Sequence, residues 1–133
     1  MRLWHKDLIQ VLPRQQLLSQ WRECCCIARN IRVNGTPNHL LVNKVLNYPK
    51  EHLCYYASLV HDELVRRGYK CDYLKFDIWL HVNSNHCTYD ELFKDWHNEE
   101  YLMICYYNLY EKYLCGGISE TEWQTLIHRK ETL

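Results

Sequence analysis

The 133-residue chain holds 16 basic and 16 acidic side chains, so its formal net charge is zero, and 47% of its residues are apolar. That length fits one domain, residues 1–133, with a core of its own, and the composition excludes a disordered chain. No apolar run approaches the ~18 residues of a membrane span, and the start Met1-Arg2-Leu3-Trp4-His5-Lys6-Asp7 lacks the apolar stretch of a signal peptide, so a cytoplasmic protein that does not enter membranes is expected.

Apolar residues recur at helical spacing through most of the chain. Leu17, Trp21, Cys24, Ala28 and Ile31 predict a first long helix from Pro13 to Ile31. Thr36-Pro37 fits a cap and first turn, predicting a short helix through Leu40, Leu41 and Val45. Pro49 opens another helix, with Leu53, Tyr56, Ala57, Val60 and Leu64 on its buried stripe and Gly68 as its stop. Residues 70–87 lose the period and are expected to be extended or irregular. Thr88 with Glu91 fits a capping box that would open a short acidic helix. Leu102, Cys105, Tyr106, Leu109 and Tyr113 predict a long helix ended by Gly116-Gly117. Its tyrosines (Tyr101, Tyr106, Tyr107, Tyr110 and Tyr113) suit a half-buried core better than a base-stacking platform. Ser119 with Glu122 fits a second capping box, for a final helix carrying Trp123, Leu126 and Ile127. The predicted fold is all-α: one compact domain of about five helices with long irregular connections.

Zero net charge would argue against a nucleic-acid partner, but the sum conceals an asymmetry. Residues 1–70 hold 11 bases against five acids, a balance of +6, and residues 71–133 reverse it. Phosphate binding follows the local field, so this distribution permits a polyanion partner. Eight cysteines without an export signal are expected to be reduced thiols, and the consecutive Cys24, Cys25 and Cys26 cannot bridge one another at normal geometry. Eight histidines raise a metal-site alternative, whose nearest cluster is His81, His86 and Cys87 with His97 beyond, but no Cys-x-x-Cys pair supports it.

Projected at ~100° per residue, the first long helix places Gln15, Gln16, Ser19, Arg22, Glu23, Cys26, Arg29 and Asn30 away from its apolar stripe. A solvated polar face is the ordinary reading of such a set. The face is uneven, however: Glu23 is its single carboxylate, among Arg14, Arg22, Arg29 and nearby Arg32. Guanidiniums around it would hold phosphates on either side, making Glu23 a charge stabiliser or proton shuttle within a polyanion-binding surface.

The segment Gln15-x-Leu17-x-x-x-Trp21-Arg22-Glu23, at its distance from the Met1 end, resembles the pyrimidine dimer DNA glycosylase family of the phage endonuclease V type. Met1-Arg2-Leu3-Trp4 resembles the start of bacterial members. Arg66-Arg67-Gly68-Tyr69 is similar to the end of the family's central helix, and the helix around Glu99 to Lys112 to a late one. The resemblance implies an endonuclease V-like fold and a metal-free, cofactor-free DNA repair glycosylase with abasic-site lyase activity. The partner it implies is double-stranded DNA with a damaged or abasic site, bound by a monomer.

Carried over, the nucleophile is the protein's own α-amine, a group whose reference pKa of about 7.7–8.0 leaves part of it neutral at physiological pH. It would attack C1′ of the damaged nucleotide, expel the base as a Schiff base forms, and allow β-elimination. Glu23 would stabilise the cationic imine and shuttle protons, Arg22 and Arg2 would bind flanking phosphates, and Gln15 would line the site. Two positions depart from the family pattern. Arg2 is too bulky a neighbour for ready removal of Met1, so the reactive amine is expected to be that of Met1. Cys26 stands where the family has an arginine, and Arg29, one turn on, is placed to substitute, with Arg32 beyond it. His5, near the Met1 end, either assists or packs. Two other readings stand beside this one: a non-catalytic nucleic-acid-binding domain of the same fold, and a small His/Cys metal-binding interaction module.

Overall fold

A computed structural model describes residues 1–133. It contains no strand and five α-helices: α1 (Arg14–Asn34), α2 (Lys50–Arg66), α3 (Leu74–Asp77), α4 (Glu99–Leu114) and α5 (Glu120–Thr132). Two 3-10 turns, Lys6–Val11 and Asn43–Asn47, precede α1 and α2. The all-α expectation holds, and the reason is the stripe pattern. On α1, Leu17, Trp21, Cys24, Ile27 and Ala28 are buried at helical spacing, and on α2 Leu53, Tyr56, Ala57, Val60 and Leu64 face them. These residues belong to one core of 27 buried side chains that runs from Leu3 to Leu126.

Helix ends follow local chemistry. α1 continues three residues past its last apolar stripe position to Asn34, because nothing stops it before Gly35. That glycine takes φ +78°, and its N–H closes on the Ile31 carbonyl, as a left-handed C-cap requires. Ser119 and Glu122 complete the capping box of α5 as predicted. Glu122 also accepts the Arg14 backbone N–H at 2.8 Å, which ties the start of α1 to α5. Buried Glu63 draws in Arg67 at 2.7 Å, and Arg67 in turn donates to the carbonyls of Leu12 and Gln10. The basic end of α2 thereby fixes the turn that leads into α1.

Two predicted helices are absent as such. After Thr36-Pro37 the hydroxyl of Thr36 accepts the Asn38 N–H, and Asn38 takes φ +57°. A side chain competing locally for backbone groups diverts the chain, and only the 3-10 turn at Asn43–Asn47 forms. At Thr88 half of the box exists, Glu91 N–H to Thr88 Oγ1 at 3.3 Å, yet residues 88–97 run as successive turns. Phe93 is fully buried with φ +50°, and its N–H donates to His52 Nδ1 at 3.1 Å. Burial of that ring overrides the capping signal. Residues 70–87 are irregular, as expected, apart from the single turn of α3.

Of the tyrosines on α4, Tyr106 is buried, Tyr101 and Tyr113 are half-buried, and Tyr107 and Tyr110 are exposed. All eight cysteines are free thiols. No helix is long and apolar enough to cross a membrane.

Candidate active site at the Met1 end

Residues 2–4 lie against α1, and one buried side chain holds them there. Gln20 falls in the apolar stripe, three residues after Leu17 and four before Cys24, and is 0% exposed. A buried amide must satisfy both its ends. Its Oε1 accepts the Trp4 N–H at 2.7 Å and lies 2.9 Å from the Tyr56 hydroxyl. Its Nε2 donates to the Arg2 carbonyl at 2.8 Å and to Glu23 Oε2 at 3.1 Å. Tyr56, on α2, donates to the Trp4 carbonyl at 2.5 Å, and burial pushes its phenol well above the ordinary range, keeping the hydroxyl a donor. Tyr101, on α4, donates to the Leu3 carbonyl at 2.6 Å. Three helices thus grip residues 2–4 through their backbone.

The grip sets the Arg2 backbone N–H on a carboxylate. Glu23 is one turn after Gln20, half-buried, and its Oε2 accepts the Arg2 backbone N–H at 3.3 Å. The Met1 α-nitrogen is one residue earlier, within about 3.6 Å of the Arg2 nitrogen by covalent reach. Met1 itself is 37% exposed, so this end of the chain reaches solvent.

The expected ring of guanidiniums around Glu23 does not form. Its partners are an amide and a backbone N–H, and none of the ion pairs in the molecule involves it. The reason is angular: Arg22 and Arg29 are seven residues apart and share an outward ridge of α1, about a quarter-turn from Glu23. Gln15, Arg22, Arg29 and Arg32 are all exposed. The Arg22 side chain donates to Ser19 Oγ at 3.3 Å, and Arg29 lies 5.8 Å over the Trp79 ring. Cys26 sits between them, exposed, with Asn30 Nδ2 at 3.8 Å from its sulfur. Arg2 is half-buried, with its guanidinium 5.6 Å over Trp4 and 6.0 Å over Tyr101.

His5 packs. It is buried, its Nδ1 accepts the Asp7 N–H at 3.1 Å, and its ring stacks on His97 at 5.1 Å. His97 Nδ1 accepts the Lys6 N–H at 3.0 Å. Burial lowers the pKa of His5 and lowers that of His97 well below the ordinary 6.5. Both are therefore neutral in the fold, whereas in the unfolded chain they protonate near 6.5. The stability they allow is complete above that value and falls as pH drops through it, because the unfolded state then binds the extra protons. Urea midpoints should decline between pH 7.5 and 5, and a His97→Gln variant, which keeps an acceptor for the Lys6 N–H, should show a shallower decline. No three His, Cys, Asp or Glu side chains converge as a metal-holding group, and His81, of the cluster considered above, instead pairs with Asp77 at 2.8 Å.

Gln20, Tyr56 and Tyr101 were not candidates from sequence. The usable signal was Gln20, a polar residue at a core position of an otherwise apolar stripe. Tyr56 and Tyr101 carry no such mark, because the contacts that employ them span 52 and 98 residues.

The chain is all-helical and holds its Arg2 backbone N–H on a carboxylate, beside a ridge of arginines that form no ion pair. A family model described as pyrimidine dimer DNA glycosylase matches residues 1–77, more than half of the chain, and the chain belongs to that family. The matched stretch contains the Met1 end, α1, α2 and α3, hence Glu23, Gln20, Tyr56 and the arginine ridge. No curated protein and no solved structure matches the chain. Membership makes this a DNA-repair protein of the glycosylase class, with DNA as its substrate.

Proposed function

We propose that the protein is a DNA glycosylase with abasic-site lyase activity, acting on damaged pyrimidines in duplex DNA through its N-terminal α-amine, that of Met1. The observation that carries the reading is the clamp of residues 2–4 onto α1, which holds the Arg2 backbone N–H on Glu23, one residue from the Met1 amine. In its neutral form the amine attacks C1′ and the base leaves with the electrons of the glycosidic bond. The sugar ring opens and the nitrogen loses a proton, leaving a cationic imine beside Glu23. Loss of a C2′ proton then expels the 3′-phosphate by β-elimination, and water hydrolyses the imine to release the enzyme. Glu23 stabilises the cation and carries the protons, a task that needs its negative charge within reach of the amine. Arg22, Arg29, Arg32 and Arg2 hold phosphates on the lesion strand, and Gln15 lines the approach to it. Extruding the damaged nucleotide costs a few kcal/mol, less at a weakened pair, which supplies part of the selectivity.

Borohydride reduction on a duplex with an abasic site tests this reading. The expected result is a covalent protein–DNA adduct with untreated protein and none after N-terminal acetylation. Failure of untreated protein to form an adduct would overturn the lyase reading. Intact mass establishes which amine is at work: retained Met1 is expected, whereas its removal would turn the nitrogen already on Glu23, that of Arg2, into the amine.

A further inference from the structure

A second cationic feature lies towards the far end of α1 from the Met1 site. A groove of about 470 Å³ is lined by Arg32 from the last turn of α1, Lys50 from the start of α2, and Asp77, Trp79 and His81 from α3 and the segment after it. Its one carboxylate, Asp77, is taken up by His81, whose pKa that partner raises above the ordinary 6.5. Arg32 and Lys50 are exposed and form no ion pair. Trp79 is half-buried, with the Arg29 guanidinium 5.8 Å over its ring. Unpaired cations beside an aromatic ring match the two parts of a nucleotide unit, a phosphodiester and a flat base.

We propose that this groove binds one strand of the DNA substrate beyond the lesion, with its phosphates on Arg32 and Lys50 and a base against Trp79. The proposal rests on the reading that the protein acts on DNA; it extends the phosphate contact of Arg32 in that reading with Lys50 and a base-binding wall at Trp79. Arg32 is nine residues from Glu23, about 13.5 Å along the helix, which corresponds to roughly four base pairs of duplex. Trp79 and His81 lie outside the family-matched residues 1–77, so the groove's aromatic wall belongs to the part of this chain that the family match does not reach.

The test measures binding, separately from chemistry. The probe is a fluorescent 25-base-pair duplex with a tetrahydrofuran abasic analogue at its centre, titrated over a range of salt. An R32A/K50A variant should lower affinity about tenfold, and the slope of log K against log salt should fall by about 1.8, the value for two lost phosphate contacts. W79A should also weaken binding about tenfold, and W79F should restore most of it. Duplexes cut two base pairs from the lesion, on one side and then the other, locate the contact: one of the two cuts should abolish the difference between wild type and R32A/K50A. Wild-type affinity in the variants, or a difference that survives both cuts, would overturn the proposal. Deoxyadenosine monophosphate distinguishes a free nucleotide as the ligand: groove-dependent binding of it with no effect of the variants on the duplex would also overturn the proposal. Borohydride trapping on the duplex whose cut removes the groove contact, with a true abasic site in place of the tetrahydrofuran analogue, reports on the active site alone. An adduct there with no groove effect refutes the groove and leaves the enzyme, whereas a groove effect with no adduct refutes the lyase and leaves the groove.

Discussion

Glu23→Gln should bind lesion DNA as the natural protein does and process it about 10²–10⁴-fold more slowly in single turnover. The substitution is nearly isosteric. The amide oxygen still accepts the Arg2 N–H that Glu23 Oε2 accepts at 3.3 Å, so residues 2–4 stay in place. What is lost is the negative charge beside the cationic imine, and with it the carboxylate's capacity to carry protons. That separates two roles which a Glu23→Ala change would mix, since alanine would also release the Arg2 N–H and the Gln20 amide. No ion pair holds Glu23, so its removal leaves no arginine uncompensated and the ridge keeps its phosphate contacts. Equal rates for the variant and the natural protein in quench-flow assays would remove Glu23 from the mechanism.

Gln20→Leu should damage both stability and chemistry. Leucine fills a similar volume but can neither accept the Trp4 N–H nor donate to the Arg2 carbonyl, and the position is fully buried. Each buried group left unpaired costs about 1–3 kcal/mol, so a loss of about 2–5 kcal/mol in urea unfolding is expected. The surviving folded protein should react at least about 10²-fold more slowly, because a displacement of ~1 Å at the nucleophile has that consequence. Gln20→Glu separates positioning from packing. It keeps the shape and the acceptor for Trp4, but it sets a second carboxylate where Nε2 faced Glu23 at 3.1 Å. Its rate should fall as steeply as that of the leucine variant even where it folds well. Full activity in either variant would show that the clamp does not position the amine.

The sequence made the α1 and α2 stripes legible, because Leu17 through Ala28 and Leu53 through Leu64 each repeat at one helical period and face one another. It also exposed the capping box at Ser119, where both halves are local. The same kind of signal misled at Thr88, because whether a cap starts a helix there was decided by burial of Phe93 against His52, 41 residues away. Arg22, Arg29 and Arg32 on one side of α1 were readable from the helical angle alone. The ring around Glu23 was not, since sharing a polar face is a looser condition than pointing at one carboxylate. The clamp was the least legible part. Its contacts to Tyr56 and Tyr101 join residues far apart in sequence, and its centre, Gln20, looks like an interruption of the stripe until its four partners are seen.

The central claim is that the reacting group is the amine at the Met1 end rather than a lysine side chain. Mapping the borohydride-trapped adduct by proteolysis and mass spectrometry tests it most directly. The expected result is a sugar remnant carried on the α-nitrogen of the N-terminal peptide, the one containing Met1 and Arg2. A remnant on Lys6, Lys50 or any other lysine would contradict it.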